Sequence, residues 1–239
     1  MTRGPEPERG TGPGVITPDG CAVELYRLLP PMGEPEIVHA AIPAHADILE
    51  LGAGAGRVTH ALVALGHPVV AVDESAEMLA CIRSAETVLA KIQRLRLDRR
   101  FDVVLLASQL VNVPDRALRR RFLETCRAHV RGQGWVLVQR HEPAWLDEAA
   151  EEERTTGGIT FRLRDLRRPA PGLLAATAEY QAGQRVWTQT FTAERLDDQA
   201  LAAALAEAGL AVDAYLTGDG AWVRAVPVSR GSALGRSPR

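Results

Sequence analysis

The segment DILELGAGAGRV, Asp47 to Val58, sets an acidic side chain, Glu50, two residues ahead of glycines 52, 54 and 56. An apolar run that ends in alternating glycines and continues as a helical pattern brings backbone close to a nucleotide. The glycines take turn conformations closed to other residues, and the helix beyond them offers free N–H groups and the positive end of its dipole. Asp73 closes the next apolar run, PVVAVD. A carboxylate there accepts hydrogen bonds from two neighbouring ribose hydroxyls at once. Two chemistries remain open: hydride transfer on a dinucleotide, or a reaction on the adenosine end of another nucleotide. Ribose recognition serves both. In the dinucleotide fingerprint a third glycine stands where this chain has Arg57, and there it permits close helix–sheet packing. Its loss weighs against a nicotinamide cofactor, and so does the lack of a Tyr–Lys or His–Asp catalytic arrangement.

A second group of reactive residues, Arg140, His141 and Glu142, follows the apolar run GWVLVQ. His141 is the candidate general base, because an imidazole titrates near neutrality. Pro143 fixes the backbone just beyond it, so HEPAW reads as a rigid rim. His141 could equally be a polar rim residue that only shapes a pocket. His39, His45, His60, His67 and His129 share no metal-ligand spacing and are expected in surface or capping roles, and no metal is expected. Asp102, in FDVV, is expected to be structural, and Arg57 to pair with a nearby acid.

These residues need a scaffold that alternates strands and helices. ADILEL, PVVAVD, the weaker TVLAKI, FDVVLLAS and GWVLVQR read as buried strands. Between them fall helices over Gly56–Leu65, over Ser75–Arg83 with Ser75 as N-cap, and over Arg116–Val130. Short helices in CAVELYRLLP and over Pro35–Ala41 precede the first strand. Such alternation implies right-handed crossovers and a parallel sheet. From about 157 to 194 the pattern changes to GITFRLRDL, LLAATAEYQ and QRVWTQTFTAERL, which alternate with period two and predict an inserted antiparallel meander. A helix over Leu196–Ala208 ends at Gly209, and LAVDAYL and AWVRAVP, joined by TGDG, read as a closing hairpin. The expected fold is α/β: a doubly wound, Rossmann-like, seven-stranded, mostly parallel sheet with an antiparallel C-terminal hairpin, the meander, and N-terminal cap helices. One domain over 20–227 is expected, with disordered tails at 1–19 and 228–239.

Composition narrows the partners. The 239 residues carry a formal charge of −2, and the arginine clusters are balanced by acidic runs without interleaved aromatics, so no nucleic-acid groove or membrane-binding surface is expected. The three cysteines, Cys21, Cys81 and Cys126, lie far apart and suggest reduced thiols in the cytoplasm. MTRGPEPERGTGPG lacks the apolar core of a signal peptide, and no later run is long and apolar enough to span a bilayer.

The order E-x-G-x-G-x-G after a strand resembles the first motif of the class I S-adenosylmethionine-dependent methyltransferases. The resemblance continues in Asp73, in FDVVLLASQLVNVPD, and in LAEAGL with its two-strand ending, over roughly Ala22 to Pro227. It implies S-adenosylmethionine as cofactor, over the first three strands. Glu50, Gly52, Ala53, Gly54, Gly56, Asp73, Glu74, Met78, Lys91, Ile92, Ser108 and Gln109 would hold it. At Lys91 the family often has an acidic residue bonded to the adenine amino group. A charged lysine cannot accept that bond. Adenine is then held by backbone near Ala90–Ile92 and by apolar contact, or the third strand has another register. The resemblance puts a small-molecule acceptor over the fourth and fifth strands, near Asn112, Arg140, Glu142, Trp145, Tyr180 and Trp187, with Tyr26 as a cap and His141 as base. The aromatics also fit simple packing. A specialised metabolite as acceptor follows from resemblance alone. The alternatives are a non-catalytic S-adenosylmethionine-binding protein and an NAD(P)-dependent oxidoreductase.

Overall fold

The computed structural model describes residues 8–228. Of the two expected tails, residues 1–7 and 229–239 lie outside the described residues. After a two-residue strand, β1 (Gly10–Thr11), come two short helices, α1 (Val23–Tyr26) and α2 (Glu34–Ala41). Strands and helices then alternate through β2 (Ile48–Leu51), α3 (Arg57–Ala64), β3 (Val69–Asp73), α4 (Ala76–Leu79) and β4 (Glu86–Leu89). They continue through β5 (Phe101–Leu106), α5 (Arg116–His129) and β6 (Val130–Gln139). A helix, α6 (Pro143–Glu148), leads into β7 (Glu152–Thr156), β8 (Ile159–Arg167), β9 (Leu173–Ala182) and β10 (Arg185–Glu194). The described chain closes with α7 (Asp198–Glu207), β11 (Leu210–Tyr215) and β12 (Trp222–Pro227).

One sheet has the order β11-β12-β6-β5-β2-β3-β4. Strands β2 to β6 run parallel, and β12 and β11 close the edge antiparallel, giving the seven-stranded sheet read from the sequence. Every residue of β2 is buried, because α2 and α3 cover one face while α5 and α7 cover the other. Strand order reverses at β2, which pairs with β3 on one side and β5 on the other. In an open parallel sheet, ligands bind outside the carboxyl ends of the strands at such a reversal. The glycine turn leaves β2 at that point.

The second sheet is antiparallel, in the order β1-β10-β9-β8-β7. Its period-two faces are sharply different. Trp187 pairs with Tyr180 and Tyr180 with Phe161, so these three share one face with Gln189, Phe191 and their partners Ala178 and Ala176. The opposite face carries Arg162, held by Glu153 and Glu179, and the threonines of β10. The apolar face is therefore turned inward, over α1 and α6.

Several elements differ from the sequence reading, among them HEPAW, which enters the helix α6. The meander begins earlier, with β7, whose EERTT has no apolar alternation and is ordered by pairing with β8. The helix expected over 75–83 stops at Leu79, because Cys81 and Ile82 donate to carbonyls three residues back, a tighter turn that carries Ile82 under Gly56. Residues 8–19 are folded. Gly10 and Thr11 pair with Gln189 and Thr188, Arg9 and Thr190 exchange hydrogen bonds, and Trp187 donates its ring N–H to the Pro13 carbonyl. Their Gly- and Pro-rich composition reads as a tail, but the free edge of β10 gives their backbone partners.

Candidate functional site

The glycine turn is tied to β3 before anything else touches it. Gly52 and Ala53 both donate to the Val72 carbonyl, and Gly54 donates to Asp73 Oδ2 at 2.8 Å. Gly52 and Gly56 have φ of 74° and 85°, in the left-handed region. A Cβ at Gly52 would lie 2.6 Å from Leu110 Cδ1, and one at Gly56 would lie 2.7 Å from Ile82 Cγ1. Only glycine fits either place.

Asp73 is half-buried at the end of β3. Its Oδ1 accepts from the Ser75 N–H at 2.9 Å, so each carboxylate oxygen carries one backbone bond and keeps a free lone pair. Burial raises its pKa, the Ser75 and Gly54 N–H groups oppose that, and nearby Asp19 and Glu74 raise it further.

Glu50 does not face this opening. It is buried, and its Oε2 accepts the Thr59 hydroxyl at 2.6 Å, joining β2 to α3 beneath the turn. The expected cofactor contact is thus replaced by a brace, since a residue in the middle of a strand covered on both faces points into the core. Burial pushes the Glu50 carboxyl up to about 7. A folded-state pKa above the unfolded one means the native state binds more protons between about pH 4.5 and 7, so this group's stabilisation is lost as pH rises through that window. Glu50→Gln, which still accepts from Thr59, should therefore raise stability at pH 8 by about 2–3 kcal/mol and change it little near pH 4. Denaturant melts at the two pH values test this, and an equal effect at both would refute it.

Arg57, in place of the third glycine, pairs with buried Glu34 at 2.6 Å and fastens α3 to the first turn of α2. On the other side of β3, Leu89 pairs with Asp73, and the Ala90 N–H donates to the Asp73 carbonyl. The third strand thus ends two residues before Lys91, which projects at the rim and pairs with Glu74 at 3.0 Å. Lys91 and Glu74 engage one another, while Ile92 is buried behind them and offers an apolar surface. Met78 is buried against Val23 and Ala55.

Beyond β5, Ser108 and Gln109 both take left-handed conformations, with φ of 54° and 56°. Non-glycine residues held there store about 1–3 kcal/mol each and collect at functional sites. Gln139 helps to fix them, its Oε1 accepting from the Ser108 N–H.

Several residues expected at an acceptor pocket serve the framework instead. Asn112 is buried, donating to the Glu194 carbonyl and accepting from the His141 N–H. Arg140 is 1% exposed, its guanidinium donating to the Gly220 and Leu196 carbonyls and to Asp198. Trp187 is 1% exposed and packs on Ala22 and Leu25. In each case the neighbouring segment uses every polar atom the side chain offers.

His141, Trp145 and Tyr180 remain at the opening, with Glu142 half-buried at the head of α6. The His141 ring stacks on Trp145 at 4.9 Å and lies nearly parallel to Phe191 at 6.3 Å. Among the described residues no hydrogen bond fixes its nitrogens. Burial lowers its pKa to about 4, so the imidazole is neutral at physiological pH and one nitrogen is a free acceptor. Tyr26 lies above the glycine turn, its ring carbon Cδ1 3.8 Å from the place of a Gly54 Cβ. Its hydroxyl donates to Gln189 Oε1 at 3.1 Å, and the Cys21 thiol approaches it at 3.4 Å. Sequence reading missed Gln189, Phe191, Cys21 and Asp19. The alternation of QRVWTQTFTAE already put Trp187, Gln189 and Phe191 on one face, and that signal could have found two of them.

Residues 48–134, from β2 into β6, match the model of a family described as a methyltransferase domain. The match covers less than half of the chain, and the fold as a whole is similar to that of solved S-adenosylmethionine-dependent methyltransferases. An uncharacterised methyltransferase of Mycobacterium tuberculosis (strain ATCC 25618 / H37Rv) is 42% identical over 94 residues, which span 37% of this chain and 39% of that protein. The structure of an S-adenosylmethionine-dependent methyltransferase from Clostridium acetobutylicum superposes with a TM-score of 0.65 at 13% identity, covering 81% of this chain and 88% of the other. The sugar N-methyltransferase KedS8 of Streptoalloteichus sp. ATCC 53650 gives 0.66 at 18% identity, covering 83% and 88%. Asp73 and the glycine turn stand on the β3 side of β2, and His141 stands beyond the end of β6. Among the described residues no helix is long and apolar enough to cross a membrane, and no three ligating side chains are grouped to hold a metal ion.

Proposed function

We propose that this chain is an S-adenosylmethionine-dependent methyltransferase acting on a small-molecule acceptor, a specialised metabolite, in the cytoplasm. The observation that carries the reading is the bond from the Gly54 N–H to Asp73 Oδ2, which fixes the glycine turn and the ribose-type carboxylate as one unit. The residues present fit an adenosyl group. Asp73 keeps one lone pair on each oxygen for two hydroxyls, the backbone at Ala90–Ile92 with the Ile92 side chain suits adenine, and Gly54 leaves the backbone of the turn open beneath Tyr26. When bound, that cofactor supplies a methyl group on a positively charged sulfur. The chain's own task is alignment, which lowers a barrier by about 7–11 kcal/mol when the geometry is near-attack. Tyr26 covers the turn, and the apolar face of the second sheet excludes water from the space beside it. His141, neutral and without a hydrogen-bond partner, takes the proton that a hydroxyl, acidic carbon or ammonium acceptor must lose.

The small-molecule reading is supported by this roof, in which Phe161, Tyr180 and Phe191 line one face. Arg57 and Arg140 are each held by a carboxylate. The sugar N-methyltransferase with a similar fold supports the same class. Calorimetry with S-adenosylhomocysteine and NAD, followed by labelled methyl transfer against a metabolite panel, tests the proposal. We expect binding of the sulfur nucleotide, no response to NAD, and transfer to at least one metabolite. Binding of NAD alone would overturn the cofactor. Tight cofactor binding with no transfer to the panel or to the protein itself would favour a non-catalytic binder.

A further inference from the structure

The N-terminal strap, residues 8–22, crosses the mouth of the site and carries a carboxylate toward it. The strap turns back on itself: the Thr17 N–H donates to the Cys21 carbonyl and the Gly20 N–H to the Thr17 carbonyl. Gly20, at φ 86°, lies so close beneath Gly10 that a Cβ on Gly10 would overlap the Gly20 carbonyl. This turn fixes Asp19. One of its carboxylate oxygens accepts the Thr17 hydroxyl, and the other lies 3.6 Å from the Cys21 sulfur.

Contacts then run from Asp19 to the cofactor side in unbroken order. Cys21 touches the Tyr26 hydroxyl at 3.4 Å, and the Tyr26 ring lies over Gly54. Gly54 in turn is bonded to Asp73. Gln189, whose side-chain amide donates to the Cys21 sulfur at 3.2 Å, holds this group against the second sheet. Among the described residues neither Asp19 nor Asp73 has a cationic partner. Two cations beside the turn and the rim, Arg57 and Lys91, are taken by Glu34 and Glu74. Burial raises the pKa of Asp73 most, and the charge of Asp19 adds to that rise.

Resting on the cofactor reading above, we propose that Asp19 is a specificity residue. Its carboxylate, held by Thr17 and joined through Cys21 to the tyrosine that covers Gly54, favours the positively charged sulfur of S-adenosylmethionine over the neutral sulfur of its product. If Asp73 takes the ribose and the glycine turn takes the methionyl end, Tyr26 would cover the sulfur end and the strap would stand beyond Tyr26. An exposed carboxylate acts there through Coulomb attraction that solvent screens, and such attraction changes affinity by up to roughly tenfold. The preference helps the reacted cofactor to leave, since the charge that drew it in is lost with the methyl group.

Calorimetry on the full chain, with S-adenosylmethionine and S-adenosylhomocysteine as probes, tests this through a ratio of affinities rather than through activity. Asp19→Asn keeps the turn's hydrogen bonds and removes the charge. It should lower the preference for the charged nucleotide about tenfold relative to wild type, mostly by weakening S-adenosylmethionine, while Asp19→Glu restores most of it. Asp19→Ser serves in case the asparagine variant fails to fold, and thermal melts certify each protein. An unchanged ratio in a folded variant that binds both nucleotides overturns the Asp19 assignment alone. Wild-type protein that binds neither nucleotide overturns the cofactor reading and this inference with it.

Discussion

Replacing His141 by alanine is expected to cut methyl transfer by about 10²–10⁴-fold while leaving cofactor affinity nearly unchanged, the range associated with loss of a positioned general base. The effect follows from where the ring sits. Trp145 and Phe191 hold it flat, no protein donor or acceptor among the described residues engages its nitrogens, and burial keeps it neutral down to about pH 4. The acid limb of wild-type turnover should therefore lie near pH 4, not 6.5, and should vanish in the variant. His141→Phe, which retains the stack without a base, separates chemistry from shape: it should match alanine in turnover. A phenylalanine variant with near-normal turnover and an unaltered acid limb would end the base assignment and leave alignment alone. The same depressed pKa has a stability consequence. The unfolded imidazole takes a proton below about pH 6.5 while the folded one resists until about 4, so the native state loses stability as pH falls through that window, and both variants should lose that slope.

The sheet was legible because its strands obey strong local rules. ILEL, VVAVD and FDVVLL are apolar runs bounded by turn-formers, and a fully buried parallel strand has no other way to look. The turn at glycines 52, 54 and 56 was legible for the same reason: its left-handed conformations depend on neighbours in sequence. What could not be read depended on distant partners. Arg140 looks like a pocket residue after a strand, yet its guanidinium is claimed by carbonyls of Leu196 and Gly220 and by Asp198, in a loop and helix more than fifty residues away. Glu50 follows the family pattern in type, but the pattern does not reveal that Thr59 takes its carboxylate. The strap is the sharpest case. Gly10 to Gly20 has the composition of a disordered end, and its order comes from the edge of β10, a strand 170 residues on. Asp19 was therefore invisible as a site residue. Lys91 shows the reverse: its departure from the family pattern was plain in sequence, and the structure supplies the reason, a register that ends β4 at Leu89 and leaves the lysine at the rim with Glu74.

Asp73→Ala should weaken S-adenosylhomocysteine binding by about 100-fold or more. Two hydrogen bonds to a charged acceptor, at about 1.5–3 kcal/mol each, disappear together. The substitution also removes the acceptor for two backbone donors, Gly54 N–H and Ser75 N–H, which hold the glycine turn and the head of α4 in place. Part of the loss would then come from a loosened turn and not from the missing ribose contact. Asp73→Asn separates the two contributions. Asparagine keeps one acceptor oxygen, so it can hold one of the two N–H groups, but it presents an amide donor to the other and no negative charge to the hydroxyls. If the carboxylate acts chiefly on ribose, asparagine should lose nearly as much affinity as alanine while melting close to wild type. If it acts chiefly as a brace, asparagine should recover much of the affinity, and alanine should show a lowered melting temperature to match its weak binding. Calorimetry with S-adenosylhomocysteine and thermal melts on the same preparations decide between them. Wild-type affinity in a well-folded alanine variant would place the ribose elsewhere, and with it the reading of Asp73 and Gly54 as one nucleotide-binding unit would fail.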